Sequence, residues 1–215
     1  VAALSTADVH ALGTAQVDAL TSTELNALTT SQVAALSTAQ VAALTTSQIA
    51  SLASATLDAL TSAQFAALTT TQIGALTTSQ VVALTTTEVA ALTTAQAAAL
   101  KTSEVAVLTT DELAALTTTD LRAFGTAAIN ALGSDQLNAL STAQMAALTT
   151  TQVAGLTTAL LAALSTTNLD ALTTAQVAAL TTSQVGSLTT AQVAALTTAD
   201  LAALTTTQIR ALGTA

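Results

Sequence analysis

The chain has 215 residues, half of them apolar, and a formal charge of −9 from twelve acids set against Lys101, Arg122 and Arg210. Three scattered cations form no basic patch for a phosphate backbone, which argues against nucleic-acid binding, and the absence of cysteine excludes disulfides and thiolate metal sites. The longest apolar run, Ala159-Leu160-Leu161-Ala162-Ala163-Leu164, falls far short of the ~20 residues of a helical membrane span.

Every eighth residue from Leu4 to Leu212 is leucine, with Phe124 as the exception, giving 27 equivalent positions without insertion or deletion. Such a period marks one small unit stacked many times. With leucine in the eighth slot the consensus reads TTxQVxAL. The fifth slot is aliphatic or aromatic apart from Ala97, the second is always Thr or Ser, and the seventh is almost always alanine. One long helix does not fit, because eight residues advance it by about 800° and the apolar stripe would wind round every face. Strands do not fit either, since slots five, seven and eight do not alternate. Short helices broken at each hydroxyl pair do. Thr-x-x-Gln is the capping-box spacing, and slots five and eight, three apart, share one helix face.

Along the chain, residues 5–12 form the first complete octad, with Ser5 as N-cap and the single histidine, His10, in the sixth slot. That slot also takes Asp18, Asn26, Asp58, Gly74, Val82 and Arg122, so it reads as facing water and His10 as a solvated surface residue. Gly13, Ser37 and Gly125 are acceptable N-caps. Ala53 and Lys101 are not, and there the hydroxyl of Ser54 or Thr102 is expected to take over, one residue later. Phe65 and Met145 occupy the fifth slot as packing variants. Ala97 leaves a deficit in the core and Phe124 supplies an excess; in a three-sided coil their octads are stacked and the two side chains are expected to meet. Asp111 and Glu112, paired at a helix start, serve the helix dipole rather than a cation. Leu160, in a normally polar slot beside core Leu161, is the best candidate for an exposed apolar contact.

A helix this short has no stability alone, so the chain must turn at every hydroxyl pair and coil round an aliphatic axis. Sides of roughly 10–12 Å close best as a triangle, because a square would leave a hole. The expected fold is therefore all-α: a solenoid of very short helices, one per octad, three per turn. Residues 1–215 would form one continuous body, a segment of a longer repeat protein, and nine turns spaced by roughly 8–10 Å would make a rod on the order of 80 Å long.

The run Thr173-Thr174-Ala175-Gln176-Val177-Ala178-Ala179-Leu180 resembles the TTxQVxAL octapeptide arrays of large bacterial proteins, some of which look like triangular α-helical solenoids. The resemblance implies a structural segment of a long, exported or surface-associated protein and brings no catalytic residues with it. No catalytic, cofactor-binding or metal-ligating residue is assigned, and no cofactor or small-molecule ligand is expected; the chain reads as a non-enzymatic rod, spacer or filament unit, extracellular or at the cell surface. Val1-Ala2-Ala3-Leu4 and Ile209-Arg210-Ala211-Leu212 keep the consensus, so both ends are expected to stack on more solenoid, by end-to-end self-association or within a longer chain. The alternative is a surface-binding platform, an adhesin or ice-binding array of threonines.

Overall fold

A helix of one or two turns persists only if its ends and one face are held by something outside it. The computed structural model describes residues 1–212 and shows how this is done. Among the described residues it contains 26 helices, each of four to seven residues, from Thr6–Ala11 to Thr206–Leu212. Each octad begins with its first slot extended, as at Thr29 (φ −73°, ψ 160°), and enters the helix at the second slot. The last turn tightens: the Leu36 N–H donates to the Val33 carbonyl at 3.1 Å, the i→i+3 closure of a 3₁₀ turn. Leaving the helix, the eighth slot is extended as well, as at Leu52 (φ −61°, ψ 136°). Two consecutive extended residues make the corner. No described residue has a positive φ, which is why the coil can turn so often in a chain with only seven glycines.

Contacts divide the chain into two compact units, Val1–Leu108 and Thr109–Ala215. The division falls between octads. Within each unit helices pack on helices three places away in chain order: Thr6–Ala11 on Thr30–Ala34 in the first, Thr118–Ala123 on Thr142–Ala147 and Thr174–Ala178 on Thr198–Ala203 in the second. One turn is therefore three octads, and the expected triangle is what forms. Slots five and eight fill the axis; Val41, Ile49 and Ile73 are fully buried, and Leu44 and Leu52 nearly so. Phe65 and Met145 are buried as expected of packing variants. Ala97 is buried in the first unit and Phe124 in the second.

Two local expectations are corrected. The N-cap does not move at Ala53 or Lys101: both residues keep the extended cap geometry, and the helices Ser54–Leu57 and Thr102–Val105 begin at the usual slot. A shift of one residue would rotate Leu57 or Val105 about 100° out of the axis, and burial of such a side chain outweighs a cap of ~1 kcal/mol. Leu160 is half-buried and is no protruding contact, because the fourth slot it occupies is an interior one.

Candidate functional site: the corner amide

The fourth slot carries the polar chemistry of the fold. In the helix Thr38–Ala42, Gln40 is 2% exposed. Its Oε1 accepts from the Ser37 N–H at 2.6 Å, and its own N–H donates to Ser37 Oγ at 3.2 Å, completing the capping box. The other half of the amide faces the preceding turn, where Nε2 donates to the carbonyl oxygens of Val9 at 2.9 Å and Leu12 at 2.7 Å. Those belong to the C-terminal end of an earlier helix, where the Val9 carbonyl already accepts from the Leu12 N–H at 3.3 Å and takes the amide on its second lone pair. One primary amide thus satisfies the start of one helix and the end of another. The offsets of 31 and 28 residues recur at Gln64, Gln72, Gln80 and Gln96 in the first unit and at Gln144, Gln152, Gln176, Gln184 and Gln192 in the second.

At three octads whose fourth slot does not reach back to the N-cap N–H, an asparagine in the turn below supplies the acceptor. Thr56 is too short, and Asn26 Oδ1 accepts from the Ala53 N–H at 2.7 Å while its Nδ2 donates to the Ser51 carbonyl at 2.9 Å. Leu160 is apolar, and Asn130 Oδ1 takes the Thr157 N–H at 2.9 Å. Asn168 spends its amide on the Leu137 carbonyl, and Asn138 Oδ1 takes the Ser165 N–H at 2.7 Å. The three asparagines of the sixth slot thus stand thirty residues before three fourth slots that lack glutamine. The sixth slot, read as facing water, is also the rung from which a polar residue reaches the next turn.

Acids in the fourth slot accept but cannot donate while ionised. Asp8 is exposed and Glu24 half-buried, and hydrogen bonds hold both carboxyls below the usual range, from the Ser5 hydroxyl and then its N–H, and from the Thr21 N–H and then its hydroxyl. Glu104 is buried, and Lys101 Nζ lies 3.3 Å from its Oε1. The lysine that fails as a cap therefore supplies the missing positive partner. Glu88 and Glu112 are buried with Oε1 unpartnered.

His10 is exposed with Nδ1 2.9 Å from the Ala35 carbonyl oxygen. Asp111 and Glu112 part company, the first exposed and the second buried at its cap. Among the described residues no group of three or more His, Asp or Glu side chains could hold a metal ion, and no helix is long and apolar enough to cross a membrane. The double role of the fourth slot was missed because a capping box is satisfied equally by Gln and Glu; the signal lay in fifteen glutamines against seven acids there, a bias toward a side chain that donates as well as accepts.

A family model described as the ALTTAQ repeat matches residues 1–30, 22–54, 49–86, 113–150, 137–166, 147–182, 161–198 and 193–215. Residues 87–112, outside those matches, hold Glu88, Ala97, Lys101, Glu104 and Val107, where the octad departs most from its consensus. No curated protein and no solved structure matches the chain.

Proposed function

The chain belongs to the ALTTAQ repeat family, and on that footing we propose that it is a structural scaffold, a spacer or filament-forming segment of an exported or surface-associated bacterial protein, without catalytic activity. The observation that supports this most is the use made of its polar interior. The buried amides of the fourth slot are spent on joining one turn to the next, so the recurring geometry serves continuity of the coil.

Self-association fits the same reading. Leu201 and Ile209 occupy the fifth slot, buried in every octad from Val9 to Val185, yet are 37% and 42% exposed. A further turn of octads, from the same chain or another molecule, would cover them as Val177 and Val185 are covered. Light scattering and electron microscopy over a concentration series test this: growth of elongated particles with concentration is expected, and compact particles of constant mass at every concentration would contradict assembly.

One observation favours a second reading as a binding platform. Second-slot threonines such as Thr46 and Thr70, one turn apart, are exposed while first-slot hydroxyls are taken up in capping. Thermal hysteresis with ice-crystal shaping would support it, and their absence would remove the ice-binding form.

A further inference from the structure

Glu88 occupies the fourth slot of the helix Thr86–Ala90 and is 3% exposed. Its Oε2 makes the usual cap, accepting from the Thr85 N–H at 2.7 Å and the Thr85 hydroxyl at 2.9 Å. Its Oε1 has no partner. The flanking octads show what lies opposite that atom. Gln80 Nε2 donates to the carbonyls of Ile49 and Leu52 at 2.7 and 2.9 Å, and Gln96 Nε2 to those of Phe65 and Leu68 at 3.0 and 2.7 Å. The same offsets set Glu88 against the carbonyls of Leu57 and Leu60. An ionised Oε1 there would confront oxygen lone pairs with no proton to offer, in a place built for an N–H donor.

We propose that Glu88 is carried as the neutral acid, its Oε1–H standing in for the glutamine N–H and donating to the Leu57–Leu60 carbonyl pair, and that loss of this proton loosens the turn that Glu88 joins to the one below.

The surroundings favour the proton. Burial is the largest influence and raises the carboxyl; the N–H and hydroxyl of Thr85 pull it down; the charge of Asp58, next to Leu57, pushes it up, and the outcome lies above the usual carboxylate range. Asp58 is itself raised by desolvation. The other helices of this part of the unit, Ser62–Ala66, Thr78–Val82 and Thr94–Ala99, bring no titratable side chain. Glu104, in the same slot two octads on, meets the same problem with the ammonium of Lys101; residue 85, the equivalent of Lys101, is a threonine. A proton remains as the simplest donor.

The sign follows from linkage. A carboxyl raised in the folded state binds more protons there than in the unfolded chain, so its stabilisation is complete below the unfolded pKa and is lost as pH rises through the folded value. Thermal unfolding of the full chain and its Glu88→Gln and Glu88→Ala variants, followed by circular dichroism between about pH 4 and pH 9, tests this. Glu88→Gln should melt several degrees above the parent at alkaline pH, with the gap closing toward acid. Glu88→Ala, which leaves the carbonyls without a donor, should melt below Glu88→Gln at every pH. A gap between parent and Glu88→Gln that ignores pH or widens toward acid would overturn the proposal, as would a Glu88 carboxyl carbon titrating at or below the ordinary value. Stabilisation of the parent by calcium at alkaline pH, absent in Glu88→Gln, would also overturn it, by putting a cation in place of the proton.

Discussion

At the scale of the residue, glutamine and glutamate differ by one donor, and here that donor decides whether two turns are joined. Gln72 Nε2 donates to the Val41 and Leu44 carbonyls at 3.0 and 2.6 Å. Gln72→Glu keeps the cap and, once ionised, loses these bonds, so it should destabilise the protein by about 2–3 kcal/mol at alkaline pH, read from denaturant midpoints, with the loss shrinking toward acid as the new carboxyl takes up a proton. The asparagines that stand in for a missing glutamine make a sharper case. Asn26→Ala should cost about 0.5–1.5 kcal/mol by removing the acceptor of the exposed Ala53 N–H. In a Thr56→Gln background the same change should be nearly neutral, since the introduced glutamine would cap Ala53 itself; a double-mutant cycle measures that coupling. Equal losses in both backgrounds would show that Asn26 acts elsewhere.

At the scale of the element, the helix is too short to be defined by propensity and is defined by its slots. The eight-residue period, the Thr-x-x-Gln spacing and the shared face of slots five and eight made the helix, its cap and its inward face legible in the sequence, and even the three-sided turn followed from close packing. What escaped was relational. Nothing in a single octad says that the Gln40 amide meets Val9 and Leu12, because those partners lie 28 and 31 residues away and come together only when turns are stacked. The cap at Ala53 was misplaced for the same reason: local hydroxyl preference favours Ser54, whereas the register of Leu57 and Leu60 in the axis holds the cap where it is. The slot logic predicts that deleting a whole octad, residues 69–76, leaves a cooperative helical fold, since every later residue keeps its slot. Deleting residues 69–72 alone should abolish the cooperative melt by circular dichroism, because slots five and eight downstream would no longer align with those before. Ile73→Ala, by comparison, should cost about 2–5 kcal/mol while preserving the fold.

At the scale of the whole molecule, helices within each unit pack on those three places away in chain order, so stability should accumulate turn by turn within a unit. Removing one terminal turn should lower the denaturant slope and the unfolding free energy by a similar increment each time, with no single octad indispensable. The account rests on buried side-chain amides that tie successive turns, and side-chain amide hydrogen exchange by NMR tests this most directly. The Nε2 protons of Gln40, Gln72 and Gln96, enclosed between turns, should exchange slowly. Those of Gln16, whose fourth slot is exposed, should exchange at the rate of a free amide. Uniformly fast exchange at all four glutamines would contradict the account.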